Sequence, residues 1–439
     1  MEKEKKTVIE QNALDEIPKS ERKSWLSIAL IWAGAMICVP SLMLGGSLVA
    51  GLPLLTAIIA GIIGYTIVVI YMVFQGMQGT DLGRPTVVSA ASTFGQAGSR
   101  IIISLVLGIS IIGWFGVQCG VTGTAFSAIM ATMGVDFPVW LGSLIWGIIM
   151  LSTAIIGYKA LAYLNYIAVP ALIIIIVFGV IAALSNYGVE SLAQMQPTTP
   201  FSFLQGVAMS VGGFAVGGVI AADYSRYAKS RKGSAVSTVV GVWPLGILLI
   251  IGGAIMAAVA GTYDMTAVLT QLGLPVIGLI VLILATWTTN TVNAYSGGLA
   301  LTNLFNLKSS KRALTTAIAG GIGTLLAVFG ILNFFISFLL ILTAFITPVA
   351  GVMIADYWIR KRGKADLWAP VKGVKWTAIV AWLAGGLVGY FVTWGISAVN
   401  AIVVSLVLYL LLDVIFAGKD VVFASKTKKT AETEQSIQG

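Results

Sequence analysis

Residues 210–218 read SVGGFAVGG, and residues 37–46, near the front of the chain, read ICVPSLMLGG. Each interrupts an apolar stretch that would otherwise be one uniform helix. Pro40 lacks an N–H and clashes with the preceding turn of a continuing helix. Gly212, Gly213, Gly217 and Gly218 fall within seven residues of one another. One reading is a kink with close, glycine-mediated packing between helices. The other is a pair of discontinuous helices that expose backbone donors and acceptors at mid-membrane, as transporters with repeated halves do at their binding sites. Which reading applies depends on where the two breaks fall in the order of membrane spans.

The surrounding chain is membrane-embedded. Of 439 residues, 58% are hydrophobic and 10% charged, whereas a soluble protein carries about 25% charged residues. Fifty glycines are too many for soluble helices but ordinary in membrane ones. A span takes about 20 apolar residues. On that measure the spans run at 26–49, 53–77, 101–132, 137–157, 160–184, 203–222, 235–261, 274–303, 313–330, 332–355, 375–395 and 398–417. The second, third and eighth are long enough to tilt or protrude. The division of 313–355 rests on the short stretch from Gly330 to Asn333.

Charge placement tests this division independently, because cytoplasmic loops are enriched in Lys and Arg. All 26 of these residues fall in the two ends or in the connections that follow even-numbered spans. The connections hold Arg84 and Arg100; Lys159; Arg226 to Lys232; Lys308 to Arg312; and the run from Arg360 to Lys375. The opposite connections hold none, but do hold Asp136, Glu190 and Asp264. A missed span would invert every later loop. The expectation is therefore an all-α, multi-pass protein of the cell membrane with about twelve helices and both ends cytoplasmic. Its parts are a polar tail at 1–24, a ten-helix core at 25–360, a loop with two further helices at 361–418, and a second tail at 419–439. No cleavable signal peptide is evident.

Several function classes are excluded. Histidine is absent, and Cys38 and Cys119 lie in apolar stretches with no metal-ligand or disulfide spacing. The net charge of +9 is spent on loops and gives no nucleic-acid surface. An enzyme would need a nucleophile–base set, and a channel a continuous polar pore; neither is visible. The polar residues cluster centrally instead. Gln118 lies one helical turn after Trp114 in GWFGVQ. TWTTNTVNAYSGG in the eighth span gathers Thr286, Thr288, Thr289, Asn290, Thr291 and Asn293. Such groups can be interhelical glue; their density favours a lined cavity. Asp223 with Arg226, and Asp356 with Arg360, sit at helix ends and read as structural pairs or snorkelling anchors.

At these residues the chain resembles the nucleobase:cation symporter-1 family, with cytosine permeases most similar. The matching motifs are GRPTVVSAASTFGQAGS after the second span, GWFG in the third, GGFAVGGVIAADYSRY in the sixth, WTTN in the eighth and TPVAGVMIADY in the tenth. The resemblance implies a LeuT-type fold: two inverted five-helix repeats plus two C-terminal helices, with spans 1 and 6 in matching positions. It implies that Trp114 and Phe214 sandwich a flat heterocycle, since aromatic faces stack on a neutral ring while amides read its edge. Gln118 and Asn290 would supply the polar contacts and Gly213 backbone beside the ring. It places a sodium site at the carbonyls of Gly34, Cys38 and Ala285 and the hydroxyls of Thr288 and Thr289, oxygen ligands suited to a hard cation.

The chain departs from the cytosine permeases at Ile111 and Val216, where polar residues are replaced by apolar ones in the expected pocket wall; Gly213 also replaces a serine and Thr291 an acid. A less polar or differently edged heterocycle, such as a purine or substituted pyrimidine, fits those changes. The expected function is secondary active symport of a nucleobase-like heterocycle with sodium by alternating access, with no cofactor and with the lipid bilayer as the other partner. The alternative is a proton-coupled permease for allantoin, a hydantoin or a vitamin precursor, which would need a titrating carboxylate.

Overall fold

The computed structural model describes residues 16–423 except 157, 158 and 275. Most of both expected tails, at 1–15 and 424–439, and residues 157 and 158 between the expected fourth and fifth spans lie outside the described residues.

The first span is two helices. Helix α1 (Trp25–Met36) starts at Ser24, whose hydroxyl accepts from the Ser27 N–H, and α2 (Val39–Gly51) follows at a 57° bend. Pro40 does not kink a running helix. It sits in the first turn of α2, where its missing N–H would have no intrahelical acceptor. At the break the Cys38 N–H turns to the Met36 carbonyl at 2.9 Å, not to Gly34, its partner in an unbroken helix. The Ser41 hydroxyl joins it on Met36, also at 2.9 Å.

Beyond this pair run α3 (Leu54–Leu82), α4 (Gln96–Thr132), α5 (Val139–Ile156), α6 (Lys159–Tyr187) and α7 (Phe203–Val219). The second half holds α8 (Arg231–Ala258), α9 (Ile277–Leu304), α10 (Arg312–Val328), α11 (Phe335–Ile354), α12 (Trp376–Phe391) and α13 (Ser397–Ile415). The 37 residues of α4 make it about 55 Å long, beyond a hydrocarbon core of about 30 Å, so it must tilt or protrude. The division between α10 and α11 holds: Gly330 adopts φ +79°, and a 3-10 turn at Ile331–Phe334 precedes α11. Seven single helices and the bent pair are long and apolar enough to span a bilayer, and four shorter apolar helices bring the arrangement into line with twelve spans among the described residues.

The connections confirm the alternation of the spans. Residue 23 pairs with the connection after α7, through the Lys23 N–H to Tyr227 carbonyl bond of 2.6 Å. Arg231 holds Asp81 at the end of α3 in two bonds of 2.7 Å, and also donates to the Gly363 carbonyl. The segment before α1 and the connections after the second, sixth and tenth spans thus share one face. On the other, Thr198 bonds the carbonyls of Ala50 and Gly261, and the Tyr263 hydroxyl bonds Leu332.

Packing divides the core into two groups. Helices α1, α2, α3, α7 and α8 pack together, and α4, α5, α9 and α10 form the second group. The contacts between α3 and α8, and between α4 and α9, join second with seventh and third with eighth spans, as two inverted five-helix repeats require. The breaks in α1–α2 and α7 are then equivalent positions. Helices α12 and α13 pack on each other and on α11. A two-residue ribbon, β1 (Val374–Lys375) against β2 (Val421–Val422), ties the loop before α12 to the segment after α13. Outward faces carry exposed Leu30, Ile70, Ile109, Ile174, Leu248 and Val407, the surface lipid would cover.

Of the two readings of Asp356 with Arg360, the structural pair is realised and the snorkelling anchor is not: Arg360 reaches Asp356 at 3.4 Å, and Asp356 is fully buried. It accepts from Ser92 at 2.8 Å, Thr93 at 2.9 Å and Tyr409 at 3.0 Å, and pairs with Lys361.

Candidate substrate and ion site at the helix breaks

The sequence left two readings of the 210–218 glycines, and both are realised. Phe214 has φ −135° and ψ 18°, so α7 is broken there. The glycines also pack: a Cβ on Gly213 would lie 2.7 Å from Leu44 of α2, and one on Gly217 would lie 2.5 Å from the Phe214 ring. The small residues therefore let the broken segment, the facing break and the aromatic ring occupy one place.

Around the break the aromatic rings form a layer in which Phe214, Trp114 and Phe338 are half-buried and Trp32, Tyr65 and Phe335 fully buried. Phe214 lies parallel to Tyr65 at 6.4 Å and edge-on to Trp32 at 6.3 Å. Trp114, on α4, meets Phe338 at 5.2 Å and Phe335 at 6.1 Å, both edge-on. Trp114 and Phe214 each touch both large apolar clusters of the core and so mark the seam between them. Each ring is held by a separate set of neighbours. Tyr65, Trp32 and Phe338 were not singled out from sequence, because an aromatic in an apolar run is indistinguishable from ordinary core.

Gln118 follows Trp114 by one turn. It is 1% exposed, and its Oε1 has no hydrogen-bond partner. The Trp32 Nε1, buried beside Phe214, is likewise unpartnered. Buried polar atoms are paired in the great majority of cases; among the described residues others without a partner lie at Gln75, Gln78, Ser234 and Thr238 on α3 and α8, and these two are the ones on the aromatic layer or one turn from it. They are complementary, one acceptor and one donor.

Asn290 behaves differently. Its Nδ2 lies 3.1 Å from the Phe115 carbonyl, 3.2 Å from Cys119 Sγ and 3.3 Å from Met150 Sδ, and its Oδ1 accepts from Asn293 at 3.2 Å. Both ends are engaged in packing among α4, α5 and α9. Thr286 likewise meets Thr122 at 2.7 Å, and Trp287 donates to Thr153 at 2.9 Å. Part of the polar cluster in the eighth span is thus interhelical glue. Ile111 is nearly buried and lies against α9, 3.7 Å from where a Cβ on Gly297 would sit; Val216 is buried in the cluster with Tyr71.

The oxygen set expected to hold sodium is divided between the α1–α2 break and α9. Thr288 and Thr289 donate to the Ala285 carbonyl at 3.0 and 3.1 Å, which leaves hydroxyl lone pairs for a cation. Gly34 has nothing within 4 Å of an added Cβ, and the broken turn releases its carbonyl from the Cys38 N–H. Cys38 Sγ contacts Ser41 Oγ at 3.3 Å, and α2 packs on α9. The Cys38 carbonyl accepts from the Ser41 N–H at 3.2 Å, and the Ala285 carbonyl from both threonines; the donors are neutral oxygens, of the chemical kind a hard monovalent cation takes.

Comparison with known proteins agrees with this architecture. Residues 16–412 match the family described as permease for cytosine/purines, uracil, thiamine, allantoin. The cytosine permease of Escherichia coli strain K12 is 33% identical over 405 residues, 92% of this chain and 94% of that protein. The hydantoin permease of Microbacterium maritypicum is 26% identical over 423 residues, covering 88% and 84%. Among solved structures, the inward-facing conformation of Mhp1 superimposes with a TM-score of 0.79 at 24% identity, over 91% of this chain and 92% of that one. A sodium-coupled sialic acid symporter shares the fold at a TM-score of 0.56 and 14% identity, over 90% and 98%. The broken helices, the inverted repeats and these matches across nearly the whole length lead to one conclusion: the chain belongs to the nucleobase-cation-symport-1 family of membrane permeases and is a transporter, not an enzyme.

Proposed function

We propose that this cation-coupled nucleobase- or hydantoin-type permease imports a nucleobase-like heterocycle together with sodium by alternating access. The observation that carries the reading is the unpartnered Gln118 Oε1, one turn from Trp114 beside the break at Phe214. A heterocyclic N–H would complete that acceptor while its faces lie on aromatic rings. Gly213 brings backbone close to the same place. The apolar Ile111 and Val216 favour a purine or substituted pyrimidine over cytosine. Gly34, Cys38, Ala285, Thr288 and Thr289 would hold the ion between the first and eighth spans, so that ion binding orders the break that the substrate also uses. We place the cationic face, and with it both chain ends, in the cytoplasm.

A proton-coupled alternative would need a carboxylate free to titrate during transport. Asp356 is tied to Lys361 and three hydroxyls, and Asp223 accepts from the Thr86 N–H at 2.6 Å, which favours sodium.

The test is a thermal-stability screen of purified protein with cytosine, uracil, adenine, hypoxanthine, hydantoin and allantoin, in sodium and in choline. Bound ligand raises the melting temperature by mass action. One heterocycle should stabilise strongly, and only with sodium; Thr289→Ala should remove the sodium requirement before it alters ligand preference. Stabilisation indifferent to sodium, with uptake driven by a proton gradient, would decide for the alternative.

A further inference from the structure

A second concave site lies on the cationic face, away from the helix breaks. It is a cavity of about 490 Å³ whose lining includes Arg84, Gln96, Arg100, Asn303, Asn306 and Trp368. Gln96 and Arg100 also line an adjoining cavity of about 310 Å³, together with Lys372. Three cationic side chains thus converge, and no carboxylate is among the described residues lining either cavity.

The individual groups are poised for an anion. Arg100 lies one turn inside α4, at the positive end of the helix dipole, where a cation is unfavourable unless a negative charge accompanies it. Its Nε is buried and has no hydrogen-bond partner. The first N–H groups of α4 are already taken, those of Gln96 and Ala97 donating to the Val371 and Gly373 carbonyls at 2.7 and 3.0 Å, so the cationic side chains are the groups left to meet an anion. Arg84 lies over the Trp368 ring at 5.4 Å and forms a salt bridge with Glu16 at 3.2 Å, so at the cavity wall it is the cation already partly neutralised. Asn306 holds φ +52° at the end of α9, which turns the chain around the cavity mouth. Ile101 and Phe305, next to the mouth in sequence, are exposed apolar residues of the kind lipid covers.

We infer that this cavity binds a phosphate-bearing anion, with Arg100 and Lys372 as its principal charges and Arg84 and the two asparagines as further donors. A planar guanidinium matches phosphate oxygens in paired hydrogen bonds. The size suits one headgroup or one small phosphate, and the exposed apolar rim suits a phospholipid that anchors the ends of α4 and α9 at the membrane surface. The inference does not depend on the substrate proposed for the helix breaks.

Delipidated full-length protein in neutral detergent is titrated with phosphatidylglycerol, phosphatidylcholine or inorganic phosphate at constant ionic strength, and its melting temperature followed. Phosphatidylglycerol is expected to stabilise and phosphatidylcholine not to. In Arg100→Gln/Lys372→Gln the half-saturating concentration should rise at least tenfold, whereas Arg100→Lys, which keeps the charge but not the planar fork, should raise it by a smaller factor. An equal response to inorganic phosphate, lost in the same variant, assigns the site to a soluble phosphate and still supports it. Lys372→Gln alone, in a loop, carries the test if the Arg100 change impairs folding. A double variant that responds as the wild type does, or a wild type that responds to neither anionic probe, overturns the inference.

Discussion

Lys375 and Gln118 are both almost wholly buried, at 4% and 1% exposure, yet their surroundings are opposite. The Lys375 ammonium reaches Asp413 at 2.5 Å, Tyr409 at 2.9 Å and Asp420 at 3.2 Å. Through Tyr409 and Asp356 that network extends to Ser92 and Thr93, and so joins α12 and α13 to the connection after α3. Gln118, in the middle of the bundle, has an oxygen with no partner at all. Magnitudes explain the contrast. An unmet neutral hydrogen bond costs about 1–3 kcal/mol, whereas a buried charge stripped of its partner costs about 3–5 kcal/mol. A site that must fill and empty in each cycle can therefore hold neutral orphans such as Gln118 and Trp32, but not lone charges. Charges belong where their partners stay fixed throughout.

That comparison can be broken at either end. The largest stability effect is expected at the charged face: Lys375→Met should lower stability by about 3–5 kcal/mol, with ligand affinity of the folded fraction unchanged. A loss below about 1 kcal/mol in thermal melts would mean that the network is no more committed to structure than the centre is.

At the centre, Trp114→Ala and Phe214→Ala should each cut uptake by at least about 100-fold, or roughly 2.8 kcal/mol, while the protein still folds. Near-normal uptake by either variant removes the stacking proposal.

Two buried amides on neighbouring helices sharpen the point. Gln118→Leu should weaken ligand binding by about 1–3 kcal/mol while leaving the ligand-free protein as stable as before, because it deletes an unpaired group. Asn290→Ala should do the reverse, lowering stability by about 1–3 kcal/mol with the smaller effect on affinity, since its bonds are already made within the protein. Paired melting and binding measurements that show the opposite pattern would exchange their roles.

The smallest effect is expected at the pocket wall. Ile111→Gln with Val216→Ser should improve cytosine binding about fivefold, near 1 kcal/mol, if these side chains face the ligand. Ile111 packs toward Gly297, which limits the gain. Tight cytosine binding by the wild type, unchanged in the double variant, would leave ligand discrimination to Gln118.

Much of this protein was legible in its residues. The spacing of apolar runs and the placement of every Lys and Arg specified the spans and their alternation, because hydrocarbon excludes charge and unpaired backbone regardless of what packs nearby. Pro40 and the glycines at 212–218 located both breaks, since those residue types act on the backbone locally. The tertiary structure alone decided which polar side chains are spent and which remain available. Asn290 and Gln118 look alike in sequence, yet one meets Phe115, Cys119 and Met150 while the other meets nothing at its oxygen. The pairing of Asp356 with Arg360 could be read in sequence, but not its full burial, which comes with α13 and Tyr409 packed against it. Tyr65 and Trp32 joined the site only when Phe214 came to rest between them. Hydrogen bonds and ring contacts act over a few ångströms between residues far apart in the chain, so their partners are fixed by how the helices assemble.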